Sequence, residues 1–239
     1  MADAALLAAA LRAGLLCVAP TPRPAYPGFF VTFEGMDGSG KGTQIDLLVK
    51  SLQSEGIEAV VNREPGGTII GRQIRAILLD AANTHLQPTA ELLLYFASRA
   101  QAVEEVILPA LQSGKVVISD RFTDSTAVYQ GAARGLGPDV VALLDAVSCQ
   151  GLVPDLTILL DIDLDTSIAR AAARNAESGS KETRLDEESR DFHAKVREGY
   201  LALAAAHPAR IRIVNGNRRP PQIADELQAL LRQSLAGRK

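Results

Sequence analysis

The stretch Gly35-Met36-Asp37-Gly38-Ser39-Gly40-Lys41 carries the spacing G-x-x-x-x-G-K, the pattern of a loop whose backbone N–H groups wrap phosphate oxygens. Lysine at its end reaches the outer phosphates as a point charge. The pattern then departs from its usual form: Gly42 stands where a hydroxyl residue is expected, and Thr43 follows one place late. Glycine leaves the phosphate grip intact, because that grip comes from backbone and Lys41. It removes a hydroxyl that would ordinarily ligate Mg²⁺. Asp120, in the segment VVISDR, lies just past an apolar run, the place for a carboxylate beside the metal. The expectation is therefore Mg²⁺ held mainly through water at Asp120, with one fewer direct protein ligand. Arg121 follows Asp120 and points to the same edge.

The elements that must position these groups are legible as a strand–helix alternation. Near-continuous apolar runs at 29–34, 58–62, 115–119, 155–161 and 210–214 are expected strands, buried on both faces. Helical patterns are expected at Lys41–Ser54, Pro88–Gln112, Asp139–Gln150, Asp186–Ala206 and Pro221–Ser234. Such alternation implies an α/β fold: a five-stranded parallel sheet flanked by helices. The polar patch NAESGSKET, 175–183, reads as a mobile loop.

Bulk properties narrow the classes. The chain has 239 residues, 47% of them apolar, enough for one sizeable domain. A net charge of −3 gives no general attraction to nucleic acid or to anionic lipid. Cys17 and Cys149 are far apart, and His85, His193 and His207 do not cluster, so disulfide, zinc and His-triad chemistry are not indicated. A reducing, cytoplasmic setting is the simplest reading. Residues 1–28 are rich in Ala and Leu but carry Asp3 and Arg12, then Pro20, Pro22, Pro24 and Pro27. They read as a poorly ordered extension and linker rather than a secretory signal or membrane span. The main domain is expected over 29–236, with a short tail at 237–239.

A phosphate loop alone fits a kinase, a GTPase switch or a motor. The switch reading lacks its N/T-K-x-D guanine motif, since no lysine follows Asn or Thr. More specific segments decide the matter. FEGMDGSGKGTQ, REPGGT (63–68), YFASRAQ (95–101), SDRFTDSTAVYQG (119–131), PDLTILLDID (154–163) and RLDEESRDFHAKVREGYLALA (184–204) occur in the order seen in bacterial thymidylate kinases. From Phe29 onward the chain resembles that family, and the REPGG and D-R-x-x-x-S-x-x-Y-Q-G segments carry most of the specificity.

The resemblance implies a P-loop nucleoside monophosphate kinase fold with a lid at about 174–186, and phosphorylation of dTMP to dTDP by Mg-ATP in a homodimer. It implies ATP contacts from Gly35 through Thr43, with Asp37 also meeting the sugar 3′-hydroxyl. Arg63, Glu64, Arg75 and Arg121 resemble contacts on the dTMP side. Tyr95 and Arg99, four apart on one helix face, resemble the ring that stacks on thymine and the guanidinium at its O4 edge; Phe96 is the alternative ring. Ser125, Tyr129 and Gln130 resemble the residues lining the base and the 2′ side of the sugar. With no basic residue inside the phosphate loop, the transferred group is expected to be neutralised by Lys41, Arg121, and the lid arginines Arg174 and Arg184, with Arg170 as a weaker candidate. Adenylate kinase, which shares the GKGTQ ending, and a catalytically silent nucleotide-binding regulator are the alternatives. REPGG and STAVYQG stand against the first, and an intact Lys41, Asp120 and arginine set against the second.

Overall fold

The computed structural model describes residues 25–179 and 181–237; the N-terminal segment expected to be poorly ordered lies, up to residue 24, outside the described residues. Five strands form one parallel sheet in the order β2-β3-β1-β4-β5. They are β1 (Phe29–Glu34), β2 (Ala59–Arg63), β3 (Val116–Asp120), β4 (Leu156–Asp161) and β5 (Ile211–Asn215). The central strand β1 is buried at all six positions, as its near-continuous apolar run leads one to expect, and the Thr32 hydroxyl inside it is paired with that of Thr157.

The helices are α1 (Lys41–Ser54), α2 (Ile69–Leu79), α3 (Pro88–Ala102), α4 (Leu108–Gln112), α5 (Thr123–Thr126), α6 (Pro138–Cys149), α7 (Leu164–Ser178), α8 (Arg190–Ala206) and α9 (Pro220–Ala236). One core layer joins β1 residues Val31 and Phe33 to Ile45 and Leu48 of α1 and Ile223 and Leu227 of α9. The opposite face packs Phe30 and Val117 against Ile107, Leu111 and Leu152. Tyr26 joins that second layer, and the Gly28 N–H donates to Leu111 O, so packing starts before the expected boundary at Phe29.

Strand positions follow the apolar runs to within a residue. The helices depart from expectation in specific ways. The pattern over 88–112 is not one α-helix: a π-helical segment, Val103–Ile107, joins α3 to α4. Helix α7 extends through Ser178, so the first four residues of the expected loop at 175–183 are helical. Asp163 caps its start by accepting from the Thr166 N–H, and Gly179 ends it in the left-handed region that glycine enters without steric cost. Helix α8 begins at Arg190, four residues later than expected. Ser189 supplies the cap there, its hydroxyl accepting from the Phe192 N–H.

Candidate active site

Parallel strands place all their carboxyl ends on one edge, and the crevice outside that edge is where open α/β sheets hold ligands. Here a cleft of about 570 Å³ opens over it. The phosphate loop follows β1, Arg63 ends β2, Asp120 ends β3, and α7 reaches in from beyond β4. Every candidate residue named from the sequence lines this cleft except Gly35, Met36, Ser39, Phe96 and Arg184. The first three form the underside of the loop. Gly35 adopts φ +134°, and a Cβ there would lie 2.5 Å from Leu160 O, so only glycine lets the loop pack this close to β4.

Lys41 is held beneath the loop, its Nζ donating to Gly35 O at 3.1 Å and Met36 O at 3.0 Å. Burial, and then repulsion from Arg121, push its pKa down to about 8, against the pull of Asp120, Asp37 and Glu34. Gly42 and Thr43 are exposed at the first turn of α1, and nothing stands within 4 Å of a Cβ placed on Gly42.

Arg121 is fixed more firmly than its sequence context foretells. It holds φ +71°, a conformation rare for a residue with a Cβ. Its NH1 donates to Ser125 Oγ at 3.1 Å and Tyr200 Oη at 3.0 Å, and its NH2 to Asp37 Oδ1 at 3.0 Å. The guanidinium also stands 5.1 Å from the centre of the Tyr129 ring. Burial alone would raise the Asp37 pKa, but Arg121, Lys41 and Arg174 together hold it well below the usual carboxylate range.

Behind Arg121 lies Glu34, the last residue of β1, which the sequence reading did not single out. Its Oε1 accepts from the Phe122 N–H at 2.8 Å; its Oε2 accepts from Ser125 Oγ at 2.5 Å and Tyr200 Oη at 3.1 Å. Burial, then the nearby Asp124, push its pKa up to about 7, while Ser125, Arg121 and the Phe122 N–H resist. Ser125 is therefore turned toward Glu34 and Arg121, where the sequence reading had aimed it at a base edge. A buried acidic residue ending an apolar strand was the signal that could have found Glu34.

On the far wall, Tyr95 lines the cleft while its ring packs with Leu78 and Leu79. Phe96 faces away, against Leu92 and Val141, so Tyr95 rather than Phe96 is the ring presented to the cleft. Arg99 lines the cleft but is only 1% exposed. Its Nε donates to Glu64 Oε2 at 2.6 Å, NH1 to Thr126 Oγ1 at 2.9 Å and NH2 to Phe122 O at 3.1 Å. Rings of Phe96 and Phe122 flank it at 5.2 and 5.3 Å. Thr126, not foreseen, is thus the hydroxyl beside Arg99. Gln130 donates to Glu91 Oε1 at 2.8 Å.

The arginines divide into two sets. Arg63 is open to solvent, 69% exposed, with Nε 3.8 Å from Asp120 Oδ2. Arg75 joins Pro65 O and the Glu182 carboxylate; Arg170 reaches Gly38 O at 3.4 Å; Arg174 pairs with Asp186 at 2.6 Å. Arg184 departs from expectation. Its Nε donates to Leu78 O at 2.5 Å and its NH2 to Glu91 Oε2 at 2.6 Å, and it does not line the cleft. Glu91 is buried and also takes Arg134 and Gln130, a demand for cations that captures Arg184.

A family model described as thymidylate kinase matches residues 33–227. The chain is 49% identical over 208 residues to the thymidylate kinase of Trichlorobacter lovleyi, covering 87% of this chain and 98% of that one. It is 53% identical over 191 residues to the thymidylate kinase of Geobacter sulfurreducens, covering 80% and 90% respectively. To the thymidylate kinase of Pelobacter propionicus it is 48% identical over 208 residues, covering 87% and 95%.

Proposed function

The chain belongs to the thymidylate kinase family, and on that premise we propose that it transfers the γ-phosphoryl group of ATP to dTMP, giving dTDP. The observation that carries the reading is one cleft shared by the phosphate loop, the Arg121 guanidinium and the Tyr95 ring. A donor phosphate, an acceptor phosphate and a base can lie in line there.

The acceptor is a phosphate oxygen already ionised at neutral pH, so alignment and charge neutralisation do the work and no strong base is needed. Backbone N–H groups of Gly38 to Thr43 hold the donor phosphates, and Lys41 neutralises the outer ones. Arg63, open at the cleft mouth, offers its planar fork to the acceptor phosphate, and Arg121, its NH1 and NH2 already engaged by protein partners, meets that phosphate as a fixed positive charge. Arg75 and Glu64 complete that side. Asp37 takes the 3′-hydroxyl, Tyr95 stacks on thymine, and Tyr129 closes the 2′ side of the sugar. Residues 174–186 serve as lid, and because Glu91 engages Arg184, the lid charge falls to Arg170 and Arg174. Asp120 Oδ1 is buried without a hydrogen-bond partner among the described residues, an acceptor suited to a metal-bound water. Mg²⁺ bound with ATP would supply positive charge to the phosphate groups, and Asp120 would hold it mainly through water.

The chain is proposed to act as a homodimer. Ile70 and Ile77 of α2, Leu93 of α3 and Val147 of α6 are large, exposed and apolar on helices packed side by side. A cytoplasmic setting fits the buried, unbridged Cys149, and no helix among the described residues is long and apolar enough to cross a membrane.

A coupled ATP-consumption assay offering dTMP, dUMP, AMP and CMP in parallel tests the reaction. Fastest turnover with dTMP is expected; faster AMP turnover, or none with all four, overturns the reading. Sedimentation of the parent and an I77E/L93E variant tests assembly, with a dimer and a monomer expected. A monomeric parent at micromolar concentration refutes the dimer.

A further inference from the structure

Arg121 gathers contacts from four separate parts of the chain. Its backbone is strained at φ +71°, a conformation that a side-chain-bearing residue keeps only when its surroundings over-determine it. Those surroundings converge on Glu34. One carboxylate oxygen receives the N–H of Phe122, the residue directly after Arg121, and so fixes the backbone there. The other receives two hydroxyls, Ser125 from α5 and Tyr200 from α8. Each of those hydroxyl oxygens accepts from Arg121 NH1. The two hydroxyl oxygens also lie 2.8 Å apart, so their hydrogens run to Glu34 directly or through one another, and an arginine–hydroxyl–carboxylate relay closes on itself.

We propose that Glu34 and Tyr200 are positioning residues for phosphoryl transfer, holding the Arg121 guanidinium at the angle at which it meets the acceptor phosphate. Neither touches substrate in this scheme: Glu34 is 1% exposed and Tyr200 3%. Asp37 holds the NH2 edge from the opposite side, so the three supports leave the guanidinium one orientation. The ionised carboxylate is needed, since a neutral group in its place cannot accept from both hydroxyls at one oxygen with comparable strength. Burial works against that ionised form, as the raised Glu34 pKa shows. A group kept for packing alone would be more stable uncharged; a group kept for its charge carries that cost.

This inference rests on the dTMP kinase reading, and two variants separate its failure from that of the reading. Tyr200→Phe keeps the ring that packs edge-on to Tyr129 and deletes only the hydroxyl. At pH 8, kcat/KM for dTMP is expected to fall about tenfold, the effect of one hydrogen bond to a charged group, while KM for ATP stays within twofold. Glu34→Gln keeps the shape and removes the charge. Its kcat is expected to fall at least tenfold while its melting temperature is unchanged or higher, because a buried charge has been removed. Activity and stability moving in opposite directions is a result that a purely structural role does not produce. The inference is overturned if both variants keep kcat/KM for dTMP within twofold of the parent. It is equally overturned if their activity loss merely follows a fall in melting temperature, or if KM for ATP rises as much as that for dTMP. A parent inactive toward dTMP would instead remove the reading beneath it.

Discussion

Replacing Arg99 by Met removes a guanidinium and keeps most of its apolar stem, and the consequence is set by what remains. Glu64, whose side chain is 2% exposed, loses the partner that sits 2.6 Å away. Thr126 Oγ1 and Phe122 O each lose a donor, and two ring faces lose their cation. Breaking a buried pair on one side costs about 3–5 kcal/mol, because an uncompensated charge is left in the core. At this chain length each kcal/mol lowers Tm by about 2–4 °C, so a fall of roughly 6–20 °C is expected in thermal unfolding at pH 8. Burial already pushes the Glu64 pKa up against the pull of Arg99 and Asn62. Without Arg99 it rises further, and Glu64 can escape the cost by taking a proton. The Tm difference between parent and variant should therefore shrink as pH is lowered from 8 toward 5. Adding Glu64→Gln should restore at least half the lost stability. dTMP binding, measured by calorimetry below the unfolding range, should weaken in both variants while ATP binding changes little. The reasoning is refuted if Arg99→Met melts within 2 °C of the parent, or if the double variant is no more stable than the single one.

Three further outcomes are expected. Gly42→Thr places a hydroxyl in open space at the first turn of α1, and tighter binding of Mn²⁺ in the presence of ATP, read by electron paramagnetic resonance, is expected; unchanged affinity would mean that the hydroxyl position does not face the metal. Thymine differs from uracil by one methyl, worth about 0.8 kcal/mol of burial, so dUMP should be used with kcat/KM roughly fourfold lower; a thousandfold rejection would require a polar device against uracil. Glu34, with its pKa raised from 4.5 to about 7, binds its proton more tightly in the folded chain, so the stability it contributes is full below pH 4.5 and lost as pH rises through 7. Chemical denaturation of the parent and of Glu34→Gln should diverge by about 3 kcal/mol across that window, and parallel curves would refute the burial of an ionisable group there.

Much of this could be read along the chain because the physics involved is local. The loop from Gly35 to Lys41 is set by its glycines and by the apolar strand before it, and β1 is buried throughout because FFVTFE carries only the Thr32 hydroxyl before Glu34. Sheet class and cleft position then follow from strand–helix alternation. Less was legible where side chains from distant segments compete for one partner. Arg184 looked free to serve the phosphate end; a carboxylate 93 residues away, Glu91, holds it instead. Ser125 looked like a base contact, and it is drawn to Glu34, 91 residues earlier. Tyr200, on α8, had no local feature to mark it, yet it lies 3.0 Å from Arg121. Helix caps at Asp163 and Ser189 were readable in principle, since each precedes its helix by one residue; Ser189 moves the start of α8, whereas Asp163 opens α7, a helix absent from the expected elements. By itself, then, the sequence determined the phosphate loop, the parallel sheet and the roster of charged residues, because backbone conformation answers to near neighbours. Which arginine meets which carboxylate was decided only when the tertiary structure buried Glu34, Glu64 and Glu91, since a buried anion binds the nearest cation that the fold delivers, whatever its place in the chain.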